Sequence, residues 1–412
     1  MFDTKSIQKD FPLIVQSQQD GFVYLDNAAT TQKPQIVLHT LLEQYTRYNG
    51  NVHRGAHRLS QQSTARYEQA RQSVQRFLHA SHPEEIVFTR GTTESINLVA
   101  SSLGQFLFQE GDAIVVTAME HHSNFVPWQM LCQKLHLSLY IVPFDANGEL
   151  CLDQYQTFLS MPKVKLAAFC QVSNVFGTCN PVEAMTAAAH ARGIPVLIDG
   201  AQAVAHMPID VQQIGCDFYC FSAHKTYGPN GIGVLYAKKH WLEQMPPYQY
   251  GGEMVDQVTC ETTSFADVPL KFEAGTPDYP AAIAFASALD YLKGLGLHNI
   301  QPHEKQLLLY AREQLSAIPN VHIFGNPAHA IGCLSFCVSG IHHYDLALVL
   351  DQFNIAIRTG SHCAQPAMRL LQVDGTARIS FACYNTTDDV DVFCDRLRQA
   401  IAFFQGGNGG TL

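Results

Sequence analysis

Ile194-Pro-Val-Leu-Ile-Asp-Gly200 and, one short interval later, Asp217-Phe-Tyr-Cys-Phe-Ser-Ala-His-Lys-Thr-Tyr-Gly-Pro229 decide the fold. Each is a short apolar run that stops on polar residues. Runs of this length bounded by Gly and Pro read as buried strands. Ile232 to Tyr236 follows across a Gly-containing turn and reads as a neighbouring strand. Upstream, Ala113 to Thr117, Leu139 to Phe144 and Lys165 to Cys170 are runs of the same kind. Helical stretches separate them. Ile96, Val99, Ala100 and Leu103 make one apolar stripe, with Thr92, Thr93 and Glu94 at its start. Val182 to Arg192 is Ala-rich and ends at Gly193 and Pro195. This alternation predicts an α/β fold, a mostly parallel sheet with helices on both faces. Ligands of such sheets sit at the carboxyl ends of the strands, so the residues just after each run are the candidates for function.

From about residue 285 the texture changes. Helical stretches Ile283 to Leu297 and Glu304 to Leu315 lead into the apolar runs His322 to Phe324, Cys333 to Val338, Ile355 to Ile357 and Ala377 to Ala382. A last helix starts near Asp388. This pattern predicts a smaller α+β domain over 286–405, after a large domain over 21–285. A tail, 406–412, is Gly-rich and expected to fray. A cleft between two domains is a natural small-molecule site.

Composition narrows the partners. The 412 residues carry 26 Lys and Arg against 36 Asp and Glu, a net charge of −10. That balance argues against nucleic acid or an anionic membrane as the main partner. Hydrophobic residues at 47% and charged ones at 15% suit a globular chain. No apolar run is long enough for a membrane span, and the start Met-Phe-Asp-Thr-Lys-Ser lacks the basic-then-apolar pattern of a secretory signal. The cytoplasm is therefore the expected compartment, with the 12 cysteines reduced. No Cys-x-x-Cys occurs. Cys216 with Cys220, and Cys333 with Cys337, lie four apart in apolar runs, where residues share a strand face and small buried hydrophobes are expected rather than a metal site.

The candidates follow from position. Lys225, at a strand end, would point into the cleft, where a desolvated lysine can form a Schiff base; a solvated surface lysine is the alternative. Asp199, 26 positions earlier, also ends a strand; alone it reads equally as a turn or cap residue. Together an acid and a lysine suit pyridoxal phosphate, one keeping the ring nitrogen protonated and the other binding the aldehyde. Thr93 at a helix N-terminus, with Ser222 and His224, could bind phosphate. His121, past the strand ending near Thr117, could stack on a ring and move protons, or be satisfied locally. Cys363, in the loop Arg358-Thr-Gly-Ser-His-Cys-Ala364, sits among polar neighbours; it is a candidate nucleophile or an incidental loop cysteine. Arg378, inside a short strand, suits capture of a carboxylate, or a structural ion pair.

In this order the motifs resemble the group II cysteine desulfurases, the SufS/CsdA-like branch of the fold-type I pyridoxal-phosphate enzymes of the class V aminotransferase family. The stretches that carry the likeness run from Tyr24-Leu-Asp-Asn-Ala-Ala-Thr30 to Tyr384-Asn-Thr386. They include Arg90-Gly-Thr-Thr-Glu-Ser-Ile-Asn97, Glu120-His-His-Ser-Asn124, Asp199-Gly-Ala-Gln202, Phe272-Glu-Ala-Gly-Thr-Pro277 and Arg358-Thr-Gly-Ser-His-Cys-Ala-Gln-Pro366. The resemblance implies a seven-stranded large-domain sheet and an N-terminal segment, 1–20, packed on the small domain. It implies a homodimer in which Thr276 reaches the phosphate of the other subunit's site. Lys225 would carry the cofactor, Asp199 would pair with its ring nitrogen, Gln202 would contact its ring hydroxyl, and His121 would stack on it. Asn174, Arg378 and Arg358 would hold the substrate, with Asn174 also near the cofactor. Cys363 would take sulfur from L-cysteine as a persulfide, L-alanine would leave, and a SufE/CsdE/SufU-like acceptor would receive the sulfur for iron–sulfur cluster assembly or another sulfur pathway. A selenocysteine lyase or cysteine-sulfinate desulfinase is the alternative, and a non-catalytic sulfur carrier a remote one. Thr226 departs from the family pattern, which has leucine there. The Cys363 loop and the Asn385 region resemble the CsdA-like members more than the SufS-like ones.

Overall fold

The computed structural model describes residues 2–406. Seven strands form the central sheet in the order Ile86–Thr89, Gly233–Ala237, Phe218–Ser222, Val196–Asp199, Val164–Cys170, Ala113–Thr117 and Ser138–Val142. All neighbours are parallel except Gly233–Ala237, which runs antiparallel to both of its partners. The expected mostly parallel sheet is present. Its edge strand Ile86–Thr89 is an addition to the predicted set.

Alternate side chains fill two cores. Val115, Phe169, Ile198, Tyr219 and Val234 point to one face. Val116, Ala168, Leu197, Phe218 and Leu235 point to the other. The first face is covered by helices that include Arg58–Phe77, Val182–His190 and Tyr279–Leu295, and the second by Thr92–Leu103 and Val126–Leu135. The stripe Ile96, Val99, Ala100 and Leu103 is buried there. Full burial of each large aliphatic or aromatic side chain stabilises by about 1.5–3 kcal/mol, so a one-residue register slip would be heavily penalised. Cys216 and Cys220 correct the shared-face expectation. Cys216 precedes the strand, and the two thiols lie in opposite cores.

A second sheet is antiparallel, in the order Val321–Phe324, Cys333–Val338, Thr376–Ser380 and Arg358–Gly360. Leu334, Phe336, Ala377 and Ile379 bury its outer face under the helices Leu297–Ser316, His343–Gln352 and Thr387–Gly406. The run Ile355 to Ile357 is not a strand of the second sheet: Ile355–Ala356 pairs in parallel with Val23–Tyr24, and it is the next residues, Arg358–Gly360, that join that sheet. Residue 285 falls inside the helix Tyr279–Leu295, whose apolar residues through Leu292 belong to the large core. The N-terminal helices touch both halves. Phe11 packs against Tyr227, Tyr291 and Tyr384, and Gln8 donates to Tyr384 O. The tail beyond Gly406 lies outside the described residues. No helix among the described residues is long and apolar enough to cross a membrane.

Candidate active site

A cavity of about 210 Å³ opens where the strand ends of the large sheet meet the inner face of the second sheet. Asp199 is the last residue of its strand and enters from below. Its Oδ1 accepts Ala201 N–H at 2.9 Å, and Ser123 Oγ donates to Oδ2 at 3.4 Å. The chain turns tightly behind it because Gly200 lies on Tyr219; a Cβ there would sit 2.2 Å from the ring. Lys225 ends the short 3-10 turn Ala223–Lys225 after the neighbouring strand. No hydrogen bond or ion pair among the described residues engages its Nζ.

The helix Thr92–Leu103 aims its N-terminus into the same cavity. Its cap is Gly91, which has no side chain to satisfy the first N–H groups. Ser222 Oγ takes the Thr92 N–H at 2.8 Å and shares a hydrogen bond with Thr92 Oγ1 at 2.7 Å. A Cβ on Gly233 would lie 2.3 Å from Gly91 Cα, and one on Gly91 would crowd Ser222 Oγ at 3.2 Å. Gly233 thus packs directly on Gly91, and Thr92, Thr93 and Ser222 bring N–H and hydroxyl groups to the cavity wall. His224 stands beside it, with its carbonyl held by Thr30, Thr31 and Lys33. His121 forms a side wall. Its Nδ1 accepts Ser123 N–H at 3.1 Å and lies 2.8 Å from Ser123 Oγ. Gln202 Nε2 donates to Ala28 O at 2.7 Å, which fixes its amide at the opposite wall.

The second sheet closes the cavity. Arg378 is buried, and its Nη1 donates to Asn174 O at 2.8 Å. Its Nη2 meets Asp26 Oδ1 at 3.4 Å, and Arg358 reaches the same carboxylate at 3.8 Å. Arg378 Nε has no partner among the described residues. Cys363 lines the cavity from a tight loop in which His362 and Cys363 both adopt left-handed backbone, φ 51° and 54°. Asn174 Nδ2 donates to His362 O at 2.7 Å, and His122 N–H donates to Cys363 O at 2.7 Å. His362 Nε2 bonds Thr376 Oγ1 at 2.8 Å, while its Nδ1 is buried without a partner among the described residues.

Burial sets the protonation states. It pushes the Asp199 carboxyl above the usual range, with Ala201 N–H and the Lys225 charge pulling back. It pushes the Lys225 ammonium down, against the pull of Asp199 and with Arg378 and Arg358 adding repulsion. His121 is lowered to about 3 by burial and then by Lys225, and His224 to about 4 by burial and then by Lys225 and Lys33. Both rings are neutral near pH 7. The two guanidinium groups of Arg358 and Arg378 share the single carboxylate of Asp26, so this wall favours an anionic ligand.

The aminotransferase class-V family pattern matches residues 23–393. The chain belongs to the class V aminotransferase family. A probable cysteine desulfurase from Halalkalibacterium halodurans is 46% identical over 97% of this chain and 98% of its own length. A cysteine desulfurase from Yersinia pseudotuberculosis is 47% identical, covering 95% of this chain and 96% of its own. The crystal structure of the cysteine desulfurase CsdA from Escherichia coli aligns with TM-score 0.91 and 39% identity, covering 98% of this chain and 99% of that one. The α/β architecture of this class V aminotransferase is the one the fold-type I likeness implies.

Class V aminotransferase membership implies pyridoxal phosphate, and the residues fit it. The N-terminus of the helix Thr92–Leu103, with the hydroxyls of Thr92, Thr93 and Ser222 on the cavity wall, suits a phosphate. Lys225 without a partner, the buried Asp199 below it and the neutral His121 beside it suit an aldehyde, a ring nitrogen and a ring face. The buried, unpartnered Arg378 Nε suits a substrate carboxylate. Of the expected residues, Lys225, Asp199, Gln202, Thr93, His121, Ser222, His224, Asn174, Arg378, Arg358 and Cys363 all line this one cavity. Thr276 does not. It lines a separate cavity of about 390 Å³ with Arg90, Glu94 and Tyr248. Sequence reasoning missed Thr92, Ser123, Asp26 and His362, which hold the expected residues in place. Each lies inside one of the quoted motifs, and only the folded contact shows what it does.

Proposed function

We propose that the chain is a pyridoxal-phosphate-dependent cysteine desulfurase that converts L-cysteine to L-alanine and carries the sulfur as a persulfide on Cys363. One observation carries the reading: a thiol on a short loop lines the same cavity as a free lysine, a buried aspartate and a buried arginine. Near-full-length likeness to cysteine desulfurases supports it.

Bound pyridoxal phosphate supplies an electron sink at the substrate carbon. Lys225 anchors it and then moves protons at Nζ. Asp199 keeps the ring nitrogen protonated, and Gln202 contacts the ring hydroxyl. Thr93, Ser222, His224 and the helix N-terminus bind its phosphate. His121, neutral, would hold the ring from its side of the cavity and could exchange a proton at its imidazole. Asn174, Arg378 and Arg358 hold the substrate carboxylate. Cys363 Sγ, as thiolate, attacks the substrate sulfur. An S–S bond forms, the C–S bond breaks, and the electron pair left on carbon takes a proton to give alanine.

The reading extends to the assembly. Thr276, away from its own cavity, reaches the phosphate of a second copy in a homodimer in the cytoplasm. A SufE/CsdE/SufU-like protein takes the persulfide sulfur, for iron–sulfur cluster assembly or another sulfur pathway. The large domain binds the cofactor and the smaller one presents the thiol. The test is alanine release by the cofactor-loaded chain from L-cysteine, L-selenocysteine and L-cysteine sulfinate in parallel. Turnover of cysteine with stoichiometric persulfide on Cys363 is expected. Turnover of selenocysteine or sulfinate alone would replace the desulfurase by the corresponding lyase.

A further inference from the structure

Three consecutive carbonyls of one turn are each taken by a side chain from one face of the second sheet. Cys333 Sγ donates to Ser173 O at 3.7 Å, Arg378 Nη1 to Asn174 O at 2.8 Å, and Ser335 Oγ to Val175 O at 2.6 Å. The register explains the convergence. Ser335 pairs with Arg378 and Cys333 with Ser380 across the antiparallel strands, so all four point to the same side. Leu334 and Phe336 alternate with them into the core of the second domain. The turn itself is stiff. Ser173 Oγ accepts Val175 N–H and Phe176 N–H, and Gly177 N–H closes on Ser173 O. At Gly177, φ 70°, a Cβ would sit 2.5 Å from Ile331 O, so the turn lies directly on the sheet.

What this turn presents is Asn174, and Asn174 Nδ2 supports the carbonyl of His362. The loop needs that support. Two successive non-glycine residues in left-handed backbone persist only when their surroundings over-determine them. Asn174 and the His122 N–H provide it at the two carbonyls, and Thr376 provides it at the His362 ring. Ser335 is fully buried and does not line the cavity, so it touches neither substrate nor cofactor. Arg378 serves the turn and the cavity together. Ser335 serves the turn alone.

We propose that Ser335 is a positioning residue for the Cys363 thiol, acting through the Ser173–Thr178 turn and the Asn174 amide. The catalytic part of this inference rests on the desulfurase reading; the structural coupling does not. The test is a double-mutant cycle of Ser335→Ala and Asn174→Ala in the cofactor-loaded full chain, with two readouts. The first is the rate of iodoacetamide alkylation of the Cys363 peptide, read by mass spectrometry without substrate. The second is the single-turnover rate of persulfide formation from L-cysteine. Ser335→Ala is expected to speed alkylation and slow persulfide formation, each by about fivefold, with the double variant no further from wild type than Asn174→Ala alone. Ser335→Cys, close in size but a weaker donor, should fall between wild type and Ser335→Ala. It carries the cycle if the alanine variant does not fold. A space-filling role predicts Ser335→Cys equal to wild type. That result, factors that multiply in the double variant, or an unchanged alkylation rate would overturn the proposal. If wild-type chain releases no alanine from cysteine, the desulfurase reading falls while the alkylation cycle still decides the coupling. If it does release alanine and the cycle is additive, this inference alone falls.

Discussion

The two walls of the cavity are built on opposite plans. The large sheet is apolar on both faces, and its polar groups come from loops and turns at strand ends: Asp199, Ser222, Lys225 and the Thr92 turn. The second sheet puts its polar groups on the strands themselves. Cys333, Ser335, Arg378 and Ser380 share its inner face, and only the outer face is apolar. A strand end can carry any side chain without disturbing the core below it. A polar residue in mid-strand must find a partner on whatever packs against the sheet, because a buried unpaired donor costs about 1–3 kcal/mol. The first plan gathers donors and ionisable groups at one end of the sheet, as a cofactor site needs. The second ties the second sheet to the Ser173–Thr178 turn of the large-sheet side and leaves a few atoms, such as Arg378 Nε, without a partner among the described residues.

The strongest way to break this division is to remove one group from each wall and look for spill-over. Lys225→Ala should lower turnover by at least about 10²-fold, since anchor and proton carrier are lost together. It should leave the iodoacetamide alkylation rate of Cys363 near wild type. Cys363→Ser should reduce persulfide formation to background while the cofactor absorbance and the melting temperature stay unchanged. Loss of cofactor from Cys363→Ser, or an altered thiol in Lys225→Ala, would mean that the walls are one cooperative unit.

The same contrast explains what could be read before the fold was known. Apolar runs ending on Asp199 and Ser222–Lys225 state both the strand and its functional end, because in a parallel sheet chemistry collects at carboxyl ends. The inner face of the second sheet gives no such signal. Cys333-Leu-Ser-Phe-Cys-Val338 reads as one apolar run, and its alternation becomes meaningful only once Ser335 is seen opposite Arg378. Contacts made through main-chain atoms are equally silent. The bonds of Asn174 Nδ2 and His122 N–H to the Cys363 loop involve carbonyls whose positions depend on φ, not on residue type. Ser123, which links His121 to Asp199, sat inside a quoted motif and still carried no role until the distances were known.

Arg378 lies where the two plans meet, and Arg378→Lys sharpens the boundary. Lysine keeps the charge but loses the planar fork that serves Asn174 O and Asp26 together. Loss of one charge-assisted hydrogen bond of about 1.5–3 kcal/mol corresponds to a fall in kcat/KM of about ten- to a hundredfold, mostly as a higher KM for L-cysteine. A change in kcat alone, with KM untouched, would place Arg378 in the chemical step rather than in substrate capture.

The smallest effect concerns acid stability. His121 on the large wall and His362 on the second are both lowered chiefly by burial, to about 3 and about 2, with Lys225 adding repulsion to the first and Arg378 to the second. In the unfolded chain each titrates near 6.5. Below that pH the unfolded chain binds a proton that the folded chain refuses, so stability falls as pH drops from 6.5. Each such histidine contributes a slope of about 1.4 kcal/mol per pH unit. Asp199, whose carboxyl is raised, works in the opposite sense: its proton is held in the fold above the ordinary carboxylate range, and the stability it adds is lost as pH rises. Urea midpoints of the cofactor-free chain at pH 6.5, 5.5 and 4.5 should therefore decline towards acid. His362→Gln, which removes one proton from the difference and keeps a group able to bond Thr376, should make that decline shallower. An equal decline in the variant would mean that the His362 ring takes up its proton in the fold near the ordinary pH, and that the Arg378 wall opens to water where the Lys225 wall stays closed.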